Sequence, residues 1–310
     1  MKQRILIVDD IHEILLDKFR EAGLDFDYQP DFTRADAEAV IAAYSGLIIR
    51  SKFQVDESFI NKGSKLEIIG RAGAGMDNID ESYAKQKGIL LLPANEGNRD
   101  AVGEHMIGML LSLMNKLNQA HQTITQGQWL REAHRGHELK GKTVALIGYG
   151  HNGQAIARKL SGFEVKVIAY DKYKTGFSDA YASEVSMEEL VKQADVLSFH
   201  IPLTRETSNL VDDEYLFHFR KPLFFLMGAR GGIVHVPAVL KAMDQGKIIA
   251  AAFDVLPIEK FPTLAEQAWF KDLITRENIL LSPHVAGWTY ESYYKLAEVL
   301  ADKFIAAGKG

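Results

Sequence analysis

TVALIGYGHNGQAIARKL, residues 143–160, is the stretch that decides how this chain is read. A short β-rich apolar run leads into Gly148, Gly150 and Gly153 in the spacing G-x-G-x-x-G, and a helical pattern follows. Each glycine has a separate job in such a turn. The first makes the tight bend, the second lets an anion approach the backbone, and the third lets helix and strand pack closely. Free N–H groups and the dipole at the helix start then favour a phosphate.

Glycine-rich turns are common, so the context has to carry the argument. VKVIAYD ends in Asp171, eighteen residues after Gly153. A carboxylate there accepts hydrogen bonds from a ribose diol and repels a 2′-phosphate, so a dinucleotide site is expected, with NAD preferred over NADP. Lys172 and Lys174 beside it pull the other way. Asn152 stands where an apolar residue ordinarily packs under the turn. A buried amide left unsatisfied costs about 1–3 kcal/mol, so it needs a partner or points at the phosphates.

Outward from this loop, short apolar runs alternate with helical patterns. Strands are expected at 143–148, 165–170, 195–199, 222–227, 248–253 and 278–282, a full series for a doubly wound sheet. An earlier series runs through 5–9, 46–50, 66–70 and 89–93. These runs lack polar alternation, as parallel strands covered on both faces do. Residues 100–120 read as one long helix that is apolar on more than one side, which suits burial between domains or subunits. The polar, basic stretch 122–142 reads as an arm, and 289–307 as a closing amphipathic helix.

The 310 residues suggest about two domains. A net charge of −5 offers no general attraction for nucleic acid or an anionic membrane. With no cysteine, disulfides, thiolate catalysis and cysteine metal sites are excluded, and no metal site is expected. An acidic pair, Asp9-Asp10, interrupts the apolar start where a signal peptide would continue, so a cytoplasmic protein is expected.

Ligands of open α/β sheets bind beyond the carboxyl ends of the strands, and that rule sorts ten histidines. His284, in LSPHVAGW (281–288), follows a strand; so does His200, with no acid near it in sequence. Arg230 follows another strand in FFLMGARGG, and Asp254 and Glu259 follow a third in AAAFDVLPIEK. Arginine suits a planar carboxylate. A carboxylate beside histidine raises the imidazole pKa above about 6.5, which poises it for acid–base work. Each residue alone has a bland reading as surface charge or cap. Three suitable types at three strand ends of one sheet favour function.

These motifs together resemble the D-isomer-specific 2-hydroxyacid dehydrogenases, and most closely their short-form D-3-phosphoglycerate dehydrogenase branch. The resemblance runs from about Gly46 to Gly287 through RAGAGMDNID (71–80), NEGNRDAVGEH (95–105), GYGHNG, HIPLTRET (200–207), ARGGIV (229–234), DVLPIE (254–259) and SPHVAG (282–287). It implies two doubly wound parallel-sheet α/β domains, Rossmann-like and flavodoxin-like, with a cleft between them. Residues 1–97 plus 286–310 would form a discontinuous substrate-binding domain, and 98–285 the NAD-binding domain.

By the same resemblance, Arg230 holds the 2-keto acid, His284 is the acid–base group and Glu259 its partner. Cofactor contacts fall to Gly148, Gly150, His151, Asn152, Gly153, Asp171, Ile201, Pro202, Gly228, Ala229, Asp254 (on the nicotinamide carboxamide) and Gly287. The N–H groups of Ala74 and Gly75 suit the substrate carboxylate. Arg50, Arg71 and Arg131 match phosphate-binding positions, the last across a homodimer formed through the NAD-binding domain; solvated surface charge stays open as the other reading of these arginines. D-3-phosphoglycerate is the first substrate expected. A glyoxylate/hydroxypyruvate reductase, a D-lactate-type dehydrogenase, or a dinucleotide-sensing protein like the related corepressors are the alternatives; Glu259 counts against formate dehydrogenases. No serine-sensing module follows the last helix, so serine is expected not to inhibit. Phe53, Met227-Gly228 and Trp288 depart from the phosphoglycerate dehydrogenase pattern and leave the substrate open.

Overall fold

The apolar runs carry two all-parallel sheets in a computed structural model that describes residues 4–308. The chain divides into a unit of residues up to Arg99 joined by those from Trp288 onward, and a second unit, Asp100–Gly287. Residues 1–3 and 309–310 of the expected domain spans lie outside the described residues.

In the first unit the strands are β1 (Arg4–Ile7), β2 (Asp25–Tyr28), β3 (Gly46–Ile49), β4 (Ile68–Arg71) and β5 (Leu90–Pro93). They lie in the order β2-β1-β3-β4-β5. β3 is buried along its whole length. Ile48 faces a cluster with Phe19, Leu300 and Phe304, while Leu47 and Ile49 face another with Phe59 and Ile69. Burial on both faces is why the strand reads as an unbroken apolar run. Phe53 tilts against Phe59 at 5.3 Å and packs on the second cluster, so the aromatic ring at this position fills core.

The second unit holds β6 (Thr143–Ile147), β7 (Lys166–Tyr170), β8 (Ser183–Glu184), β9 (Val196–Phe199), β10 (Leu223–Met227), β11 (Ile248–Phe253) and β12 (Ile279–Leu281). Their order is β12-β11-β10-β9-β6-β7-β8, so the winding direction reverses between β6 and β9. That is the switch point at which the loops after two adjacent strands part and leave room for a ligand. Met227 is fully buried in one core cluster. Gly228 follows it because a Cβ there would sit 2.3 Å from Met106 Sδ. Packing therefore accounts for both halves of that dipeptide.

Three features differ from the sequence reading. β2 and β8 were not expected: both lie at sheet edges, where exposed, polar residues such as Asp25 and Ser183 give no apolar signal. The helix expected over 100–120 is two, Arg99–Met114 and Leu117–Thr125. Lys116 breaks it with φ of 50°, and its ammonium bonds the Ala133 carbonyl at 2.9 Å. The arm therefore begins after Thr125, later than expected. Among the described residues no helix is long and apolar enough to cross a membrane.

Candidate active site

The glycine turn has the shape its spacing predicts. Gly148 has φ of 93°, and a Cβ on it would lie 2.6 Å from the His200 carbonyl oxygen and 2.8 Å from Ile201. A Cβ on Gly153 would lie 2.4 Å from the Gly148 oxygen. Gly150 is different: a Cβ there meets nothing within 4 Å. Two glycines are thus required by the protein's own packing, while the third leaves open space. Helix His151–Leu160 starts at that space, capped by Gly150 with no side chain on its first N–H groups. Exposed amides and clear approach fit a pyrophosphate. The buried Asn152 Oδ1 has no hydrogen-bond partner, an unmet need a bound phosphate edge would answer once the amide is turned to donate.

Asp171 follows β7 and accepts from the Tyr149 N–H at 2.9 Å and the Tyr173 N–H at 3.0 Å, so its carboxylate also ties the turn in place. The adjacent lysines are engaged elsewhere. Lys172 pairs with Glu206, and Lys174 donates to the Tyr149 carbonyl at 3.1 Å. Ile201 and Pro202 follow β9 on the other side of the switch point.

His284, Glu259, Arg230 and Asp254 come together beyond β10, β11 and β12. His284 Nδ1 lies 2.9 Å from Glu259 Oε2, with both side chains about half exposed. That bond is the chief reason the His284 pKa is raised. Burial opposes the shift, the Glu259 charge adds to it, the Arg230 charge opposes it, and Asp254 adds further. A neutral ring donating from Nδ1 to the carboxylate keeps Nε2 as an acceptor for a substrate proton. Arg230 bonds the Ala229 carbonyl at 2.7 Å and caps a short 3₁₀ turn. Gly231 is required there, because a Cβ would fall 2.0 Å from the Leu256 carbonyl.

His284 has φ of 56°, a left-handed conformation that costs a non-glycine residue roughly 1–2 kcal/mol. Asp254 holds it there. The His284 N–H donates to the Asp254 carbonyl at 2.7 Å, and the Val285 and Ala286 N–H groups donate to its carboxylate at 2.9 and 3.0 Å. Ser282 Oγ donates to the same carboxylate at 2.6 Å, and His105 Nε2 meets Ser282 Oγ at 3.0 Å. The Asp254 carboxylate, 2% exposed, thus anchors the loop that carries His284. Gly287 closes that loop.

In the first unit, Arg50 lies over the Trp288 indole, 4.6 Å from the ring centroid, and Tyr293 meets that indole edge-on at 5.5 Å. The buried Asp9 accepts the N–H groups of Arg50, Ser51 and Lys52 at 2.8–3.0 Å. Arg50 is therefore carried on a fixed turn, and its buried Nη1 has no partner. Arg71 donates to the Arg50 carbonyl at 3.0 Å. Ala74 and Gly75 lie in the bend after β4, partly exposed. Arg131 lies exposed on the arm of the second unit. The sequence reading missed Asp9, Ser282 and His105: the last two lie in the family-like stretches 282–287 and 95–105 without a role assigned there, and only tertiary structure brings His105, on an apolar helix, to Ser282.

Known proteins bear on this arrangement. Residues 107–286 match the NAD binding domain of the D-isomer specific 2-hydroxyacid dehydrogenases. The chain is 32% identical to a D-3-phosphoglycerate dehydrogenase of Archaeoglobus fulgidus over 99% of its own length. It spans only 58% of that relative, a little over half. It is 33% identical to a hydroxypyruvate reductase of Thermotoga maritima, covering 85% of each chain. The solved D-lactate dehydrogenase of Aquifex aeolicus, complexed with NAD and lactic acid, superposes with a TM-score of 0.82 at 25% identity, covering 99% of this chain and 96% of that one. With more than half its residues in the matched domain, this chain belongs to the D-isomer specific 2-hydroxyacid dehydrogenase family.

Proposed function

We propose that this chain is an NAD-dependent dehydrogenase of D-2-hydroxy acids, and that His284 is its acid–base group. The observation that carries the reading is the 2.9 Å bond from His284 Nδ1 to Glu259, which leaves Nε2 for substrate. Bound nicotinamide supplies or accepts the hydride. In oxidation, neutral His284 takes the hydroxyl proton at Nε2, and Glu259 steadies the imidazolium that forms. In reduction, protonated His284 delivers that proton to the keto oxygen. Arg230 binds the carboxylate of the acid and polarises its ketone. Gly148, Gly150, His151, Asn152 and Gly153 hold the pyrophosphate, and Asp171 the adenosine ribose. Ile201, Pro202, Gly228, Ala229, Asp254 and Gly287 line the rest of the cofactor site. Ala74 and Gly75 bind the substrate carboxylate through their N–H groups.

The substrate we favour is D-3-phosphoglycerate, because the unpartnered Arg50 Nη1 would be satisfied by an anion at the far end of the substrate. Arg71, and Arg131 reaching across a homodimer, would share that anion. A second reading, hydroxypyruvate reduction, draws on the relative whose length this chain covers most fully of the two quoted. A steady-state screen of NADH oxidation with 3-phosphohydroxypyruvate, hydroxypyruvate, glyoxylate and pyruvate separates them. Arg50→Ala is expected to raise KM for 3-phosphohydroxypyruvate by about tenfold and leave pyruvate nearly unchanged; equal effects would exclude a phosphate site at Arg50. Turnover of none of these acids, with NADH still bound, would favour a dinucleotide-sensing protein.

We also propose a homodimer through the second unit. Leu117, Ile124 and Trp129 are exposed on helix Leu117–Thr125 and the arm, and a stable interface would cover such residues. Light scattering of wild type and Trp129→Ser tests this, and a monomeric wild type would refute it.

A further inference from the structure

We propose that His105 is a positioning residue for His284, acting through Ser282 and the buried carboxylate of Asp254. The inference rests on the acid–base reading of His284 and extends it to His105, which ends the stretch NEGNRDAVGEH and has no role assigned to it there.

The direction of the hydrogen bonds carries the argument. A carboxylate only accepts, so the single hydrogen of Ser282 Oγ goes to Asp254 Oδ1 at 2.6 Å. The same oxygen must then accept at its 3.0 Å contact with His105. His105 therefore presents Nε2–H, which fixes its tautomer when neutral. The chain of donors runs from His105 to Ser282 to Asp254. From the other side, the Val285 and Ala286 N–H groups converge on the same carboxylate. Bonds in such a chain polarise one another inside a protein.

Geometry links this chain to the chemistry. The Asp254 carbonyl receives the His284 N–H, and its carboxylate receives the next two, so one residue fixes the backbone on both sides of a left-handed histidine. A conformation that sparsely populated persists only when its surroundings over-determine it. Ser282 is the loop's other contact with that carboxylate, and helix Arg99–Met114 supplies the donor that holds Ser282. Without His105, Ser282 Oγ can turn away and the Asp254 carboxylate can rotate. The Nδ1–Glu259 bond, set by the same loop, then loosens.

Three variants test this: His105→Leu, His105→Gln and Ser282→Ala. His284 is followed directly by NMR titration of its imidazole, assigned with His284→Gln, and kcat is measured beside it. His105→Leu and Ser282→Ala are each expected to lower kcat about tenfold. Both should move the His284 titration down, toward an ordinary imidazole. His105→Gln keeps an N–H donor near the Nε2 position and should restore most of both. The double variant His105→Leu with Ser282→Ala should lose no more than either single one. An unmoved His284 titration in His105→Leu, a Gln variant no better than Leu, or losses that multiply would each overturn the proposal. Wild-type kcat in His284→Gln would instead remove the acid–base reading, while the titrations still report on the positioning.

Discussion

At the scale of single residues, His284 combines two opposing influences whose balance sets its pH behaviour. Burial disfavours the imidazolium, but the hydrogen bond to Glu259 outweighs it, so the pKa lies above the ordinary value. Oxidation needs the neutral ring and reduction the protonated one. The rate of hydroxy-acid oxidation should therefore rise with pH through a midpoint above about 6.5, and reduction should fall through the same region. Glu259→Gln should move that midpoint down in pH–rate profiles; an unmoved midpoint would remove Glu259 as its cause. His284→Ala should lose about 10²–10⁴ in kcat while NADH still binds. Strand-end placement made His284, Glu259 and Arg230 legible in the sequence. Its left-handed backbone was not legible, because it depends on bonds to Asp254, thirty residues away in sequence. Trp288 was visible as bulk, but not as the surface on which Arg50 lies.

At the scale of elements, the turn from β6 into helix His151–Leu160 separates two roles that one motif conceals. A methyl on Gly153 collides with backbone, which cannot move aside as a side chain would. A methyl on Gly150 collides with nothing in the protein itself. Gly153→Ala should therefore destabilise the fold by about 1–3 kcal/mol, the usual range for overpacking. Gly150→Ala should melt near wild type yet bind NADH about tenfold more weakly, because the added group occupies the phosphate's approach. Melting curves and calorimetry on both variants check this; equal melting temperatures would show that the turn yields at Gly153. Spacing and strand context gave this element away, since a buried parallel strand and a glycine turn both leave local signals. β2 leaves only a weak one, a four-residue alternation of Asp25-Phe26-Asp27-Tyr28 at a sheet edge. The break at Lys116 leaves none, because a lysine at positive φ owes its place to the turn around it, including its bond to Ala133.

At the scale of the whole molecule, two histidines pull stability in opposite directions as pH changes, and their exposure decides which prevails. His284 has a raised pKa, so what it contributes is present below about 6.5 and is lost as pH rises through its folded value. Its side chain is half exposed, and solvent screening keeps that contribution small. His200 is the stronger case. It follows β9 with Nε2 bonded to Ser198 Oγ at 2.9 Å and with Nδ1 buried and unpartnered. Burial pushes its pKa down to about 4. An unfolded chain binds a proton on this ring from about pH 6.5 downward, whereas the folded chain does so only near 4, so folding weakens across that window. The loss should be on the order of 2 kcal/mol by pH 5. Denaturant unfolding at pH 7 and pH 5 should show the wild-type midpoint falling, with His200→Asn falling less. Asparagine keeps a polar group near Ser198 but does not titrate in this range, so the difference between the two slopes isolates the ring. Parallel slopes would place the acid sensitivity in the carboxylates instead of at His200 beside the glycine turn.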